Sequence, residues 1–133
     1  MNITIKTIPH DQHRYPTVGD YIIRGEADIE ILVSKTEDWR YDALVAVHEL
    51  IEVLQTEYAG IKEPDIMAFD LKFEKECDAG QHGDDEPGDD PRSPYRAQHI
   101  FAECIERLLA QRLGVTWEEY DAALMKLWRP KQE

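Results

Sequence analysis

The chain is poor in the residues that several chemistries require. Its two cysteines, Cys77 and Cys104, are far apart and form no Cys-x-x-Cys pair, so neither a disulfide framework nor a thiolate zinc site is indicated. Each falls in a helical pattern and reads as a reduced, half-buried thiol. Ser34 and Ser93 are the only serines, and Ser93 precedes a proline at an apparent helix start, which leaves little material for a serine triad. Gly80, Gly83 and Gly88 lie in acidic sequence with no Lys-Ser or Lys-Thr after them, so no phosphate-cradling loop is present. No apolar run approaches the roughly 18 residues of a membrane span. The start, Met1 to Lys6, lacks the basic and apolar blocks of a signal peptide. A cytoplasmic protein of a bacterial host is expected.

Positive charge is also scarce. Fifteen Lys and Arg face 28 Asp and Glu, a formal net charge of −13. Such a field repels phosphates and anionic membranes, so direct nucleic-acid binding is not expected. Acid is densest from Lys62 to Pro91, and a solvated loop is the plainest account of it.

What is there reads as an α+β fold in a single domain, 1–133, with a small N-terminal antiparallel sheet of about three strands followed by three or four helices. Asn2 to Ile8 alternates apolar and polar residues, Ile29 to Ser34 is rich in β-branched ones, and a short strand is expected at Asp20 to Arg24. This β-rich part ends near 37. Asp38 can cap a helix from Trp39 to Tyr58 that Gly60 stops. A second helix is expected from Pro64 to Gly80, within 38–80. The segment 81–92, with its prolines, glycines and acids, is expected to be a loop, in the manner of a lid. Over 93–130, Ser93 is expected to cap a helix whose core arc is Ile100, Phe101, Cys104, Ile105, Leu108 and Leu109; Thr116-Trp117-Glu118-Glu119 opens the last one as a capping box.

The chemistry concentrates in His48-Glu49-Leu50-Ile51-Glu52, inside a helix apolar around most of its circumference. Burying an imidazole with carboxylates is costly unless they pair or hold a cation. His48 and Glu52 lie about 40° apart on one stripe and Glu49 about 100° away, the layout of two ligands beside a base. His99 and Glu103 repeat the i, i+4 spacing on the later helix, with Glu106 on the same stripe. Packed antiparallel, the two helices could offer His48, Glu52, His99 and Glu103 to a divalent ion, zinc first, with manganese or magnesium admitted by the carboxylates. The competing account has His48 bonded to a core carbonyl and the glutamates paired with Arg40 or Arg96. His82, His10 and His13 are weaker candidates. Arg92 and Arg96 are expected to neutralise Asp89 and Asp90.

The stretch Ile31 to Ser34, then Trp39 to Leu44, then Ala46 to Glu52 resembles the strand-then-helix entry of small zincin-type metallopeptidases, including the domain found beside phage repressors. Their motif is His-Glu-x-x-His, with two zinc-binding histidines and a glutamate that activates water. The resemblance implies a ligand role for His48, a catalytic-base role for Glu49, and Glu52 in the second histidine's place. A carboxylate there shifts the preference toward harder cations. The whole chain, through Gly88 to Arg96 and Gly114 to Trp117, also resembles small uncharacterised proteins encoded by phages and prophages.

Two other functions fit parts of the sequence. Glu49-Leu50-Ile51-Glu52 resembles the Glu-x-x-Glu half of all-α nucleoside triphosphate pyrophosphohydrolases, which use magnesium, although no Glu-x-x-Asp follows at the expected distance. The charge alone would suit a non-enzymatic acidic phage protein that mimics nucleic acid on a host partner.

Overall fold

A computed structural model of the protein describes residues 1–26 and 28–128. Three strands, β1 (Asn2–Ile8), β2 (Gly19–Arg24) and β3 (Asp28–Ser34), precede four helices, α1 (Trp39–Ala59), α2 (Glu63–Asp78), α3 (Arg96–Arg112) and α4 (Trp117–Trp128). The fold is α+β, as the sequence predicts.

The sheet, however, is mixed rather than antiparallel. β3 is central, with β2 antiparallel on one side and β1 parallel on the other. The reason lies in the connections. Gly25, at φ 67°, opens the tight turn that folds β2 back onto β3, whereas the ten-residue connection 9–18, which contains Pro9 and Pro16, does not form a hairpin and instead carries the chain past β3. β1 is therefore an edge strand, and Ile3 and Ile5, despite their alternation, stay exposed.

α1 lies across β2 and β3. Tyr21, Ile29, Ile31 and Val33 from the sheet meet Leu44, Val45 and Val53 from α1, with Ile66, Tyr95, Val115 and Tyr120 closing the core. Asp38 caps α1 by accepting from Arg40 N (2.9 Å), and Gly60, at φ 74°, ends it as expected, with Ala59 rather than Tyr58 as the last helical residue.

α3 reverses the expectation from its sequence. Phe101, Cys104 and Leu108 of the supposed core arc face outward, while His99, Ala102, Glu106 and Ala110 are buried against α1. The alanines let the two helix backbones approach closely, and the polar residues find partners across the seam. Ser93 does not cap this helix, which starts at Arg96 behind Tyr95; the Ser93 hydroxyl instead accepts from Tyr95 N at 3.3 Å.

The acidic segment 81–92 is tied down. Arg92 donates to Glu76 (2.6 Å) and Asp90 (3.0 Å), and His82 lies 2.8 Å from Glu76 while stacking on Phe73. Hydrogen bonds from Arg92, then His82, hold Glu76 at about 2, and Arg92 holds Asp90 at about 2. Both carboxyls sit below their unfolded values of about 4, so their contribution is present above that pH and lost as pH falls from about 4 to 2. The amide shifts of Gly83 and Gly88 should move together through this window. In Arg92→Ala they should already lie near their acid positions at neutral pH; an unchanged titration would exclude the anchor.

Candidate metal centre

α1 and α3 run antiparallel, Arg40 donating to the carbonyl of Leu113 (3.1 Å) at one end and Gln55 to that of Gln98 (3.2 Å) at the other. The seam between them brings three donor atoms together. His48 Nε2 lies 3.1 Å from Glu52 Oε2 and 3.2 Å from His99 Nδ1, and His99 Nδ1 lies 3.1 Å from Glu52 Oε2. All three side chains are buried. A tetrahedral ion with bonds of about 2.0–2.1 Å has ligand–ligand edges of about 3.3–3.4 Å, so this triangle is within a few tenths of an ångström of a zinc face. It is a His/Glu grouping able to hold a metal ion.

A second layer supports the first. His48 Nδ1 is 2.7 Å from Glu106 Oε1, and Glu106 Oε2 accepts from the Tyr120 hydroxyl at 2.5 Å. That chain fixes the hydrogen on Nδ1 and leaves Nε2 to face the triangle. The far nitrogen of His99 faces Glu86 (3.1 Å) and Asp89 (3.5 Å), a second grouping of possible donors. Gly88 covers the His99 ring so closely that a methyl group there would overlap the imidazole.

The electrostatics follow from the burial. Desolvation opposes charge on His48, but its hydrogen bonds to Glu106 and Glu52 outweigh it and raise the imidazole well above its usual value. Burial likewise opposes charge on His99, yet Glu52 and Glu86 lift it to about 10. Glu52 is held at about 2 because the two histidines overcome its desolvation. The carboxylates thus attract positive charge into the seam, as protons or as a cation. Among the described residues no arginine supplies it: Arg40 pairs with Asp38, and Arg96 donates to the carbonyl of Asp89.

Glu49 does not join the triangle. Its side chain opens onto the adjoining cavity, about 110 Å³, which Tyr15, Asp20, Tyr21 and Asp70 also line. Burial first, then the negative charges of Glu52 and Asp20, push its carboxyl well up. Gly19 sits against it, and a Cβ there would come within 2.8 Å of Glu49 Oε1 and 2.7 Å of Val45. Asp70, raised to about 7 mainly by burial, accepts from Tyr95 at 2.5 Å.

Of the residues singled out in the sequence, His48, Glu52 and His99 converge. Glu103 does not join them: it is half-buried, 3.7 Å from Arg107 one turn on, and Glu106 is the α3 carboxylate that turns inward to His48. His82 belongs to the loop anchor. His10 and His13 both contact the buried hydroxyl of Ser34, at 2.9 and 2.8 Å. Sequence reasoning missed Glu86, Tyr120 and Gly19. Glu86 lies in a loop without period, and Tyr120 resembles any core aromatic of an amphipathic helix. Compared with known proteins, the chain matches no family model, no curated protein and no solved structure.

Proposed function

We propose that this protein is a zincin-like metal-dependent hydrolase in which His48, Glu52 and His99 hold a divalent ion, zinc first, and Glu49 acts as base. The observation that carries the reading is the buried triangle of two imidazole nitrogens and one carboxylate oxygen with edges of 3.1–3.2 Å. Two histidines and one glutamate, with a fourth position left to water, is a donor set of catalytic rather than structural zinc. Here the carboxylate occupies the helix position of the motif's second histidine, and α3 returns the missing imidazole.

When bound, such an ion polarises a carbonyl oxygen and lowers the pKa of its water. Glu49, adjacent in sequence to His48 and facing the same cavity, takes the water's proton and passes it to the leaving group. Glu106 and Tyr120 keep His48 in the ligating tautomer. Peptide-like amides and esters are the substrates this chemistry suits.

Glu49, Glu52 and Asp70 lining one cavity would also suit a magnesium-dependent pyrophosphohydrolase, but Arg14 is the only Lys or Arg among the described lining residues, and it is spent on Asp20 and Glu63. A polyphosphate would meet carboxylates with no free cation. The acidic-mimic reading is weakened by the pairing of Glu86 with His99 and of Asp90 with Arg92.

Elemental analysis tests the reading directly. Protein purified without chelator should carry about one zinc per chain, and His99→Ala should lose it. Absence of stoichiometric metal after reconstitution with zinc, manganese or magnesium would refute the proposal.

A further inference from the structure

We infer that Glu86 is a positioning residue that accepts the Nε2 hydrogen of His99 and thereby latches the segment 81–92 over the centre when the ion is bound. The inference rests on the reading of His48, Glu52 and His99 as ligands. Its starting point is the far side of His99. With Nδ1 turned toward the triangle, a bound ion takes the Nδ1 lone pair and leaves the hydrogen on Nε2. His99 is only 6% exposed, and a buried N–H requires an acceptor.

Among the described residues, Glu86 Oε2, at 3.1 Å, and Asp89 Oδ1, at 3.5 Å, are the carboxylate oxygens that face Nε2. Neither makes a hydrogen bond in the present geometry: Nε2 is buried without a hydrogen-bond partner, so the Glu86 oxygen stands at bonding distance but off the N–H axis. A small movement of the segment would align it. The segment is anchored on both sides of Glu86, so only a local adjustment is needed. Its base is held to α2 by Arg92, Asp90 and Glu76, and Gly88 at its crest rests on the imidazole. Glu86 stands two residues before Gly88, at the start of a single 3₁₀ turn, Pro87–Asp89.

The contrast with His48 is instructive. Its outer nitrogen is served by Glu106, which a long helix and Tyr120 hold rigidly. The outer nitrogen of His99 depends on a loop. An ion on Nδ1 fixes the ring and with it the direction of the Nε2 hydrogen, so the loop, and access to the cavity, become coupled to the state of the centre.

The test compares wild type, Glu86→Ala, Glu86→Gln and His99→Ala in zinc affinity, measured by competition with a chromophoric chelator at one pH, and in amide hydrogen exchange over 83–90 with and without zinc. Glu86→Ala should weaken zinc by about 10–100-fold, the range for lost outer partners of ligating histidines, in a metal-free protein that still folds. Glu86→Gln keeps an acceptor oxygen and should recover much of the loss. Zinc should slow exchange over 83–90 in wild type but not in Glu86→Ala. Wild-type affinity in Glu86→Ala, or exchange indifferent to zinc in wild type, overturns the latch while loss of zinc in His99→Ala leaves the ligand reading standing. Full affinity in His99→Ala removes the ligand reading and the latch with it.

Discussion

Stripping the proposed divalent ion from the purified protein should lower its melting midpoint by about 12–16 °C, and returning zinc should restore it. An ion present at about a thousand times its dissociation constant stabilises the form that binds it by about 4 kcal/mol. For a domain of this length each kcal/mol is worth roughly 3–4 °C. The metal-free protein should still fold, because protonated imidazoles can stand in for part of the cation: His48 and His99 are both raised, and Glu52 is held low between them. Removing a ligand is a different perturbation. His48→Ala would leave Glu52 and Glu106 buried without their shared partner, which costs about 3–5 kcal/mol whether or not an ion is present. Chelation of wild type is therefore the cleaner experiment. Calorimetry on one preparation, with chelator and with excess zinc, would decide it; coincident midpoints would mean that the triangle is held by protons alone.

How far the sequence foretells this centre depends on what kind of signal each residue carries. α1 is legible almost to the residue, because the aspartate cap, the apolar spacing and the terminal glycine all agree. His48 and Glu52 are legible with it, since a stripe at i and i+4 needs no tertiary knowledge. α3 misleads, and instructively. Its apolar side is the wider one, so periodicity alone turns Phe101 and Leu108 inward. The actual seam is decided by pairing: His99 and Glu106 each meet a partner on α1, and Ala102 and Ala110 give the backbone room. A buried polar pair across two helices cannot be seen in either helix separately. The sheet fails for a similar reason, as the parallel pairing of β1 with β3 is made by a loop path and not by alternation. Glu86 and Gly88 are beyond periodic reasoning altogether, since what gives them meaning is contact with a ring more than ten residues away.

Glu49→Gln should abolish hydrolysis while leaving the ion in place. The side chain is outside the triangle of donors, so its loss does not subtract a ligand, and glutamine keeps its volume against Gly19 and Val45. What it removes is the ability to accept a proton, a step worth about 10²–10⁴-fold in rate. In the absence of an ion, burial and the charges of Glu52 and Asp20 favour the protonated carboxyl, the wrong form for a base. A divalent cation beside it would reverse that bias, so in the proposed reaction the metal would both activate water and ready its acceptor. Gly19→Ala provides an independent perturbation of the same residue, because the added methyl would intrude on Glu49 and Val45 from β2. Both variants should retain zinc and the cobalt spectrum of the substituted centre, yet lose turnover of amide or ester substrates, Glu49→Gln the more completely. In the cobalt form the pH dependence of the visible bands should also change in Glu49→Gln, since the bound water would ionise without its neighbouring carboxylate. If Glu49→Gln turned over any such substrate at the wild-type rate, the base would have to be sought elsewhere in the cavity, and Asp70, poised near 7, is the carboxyl that the same experiment would next have to remove.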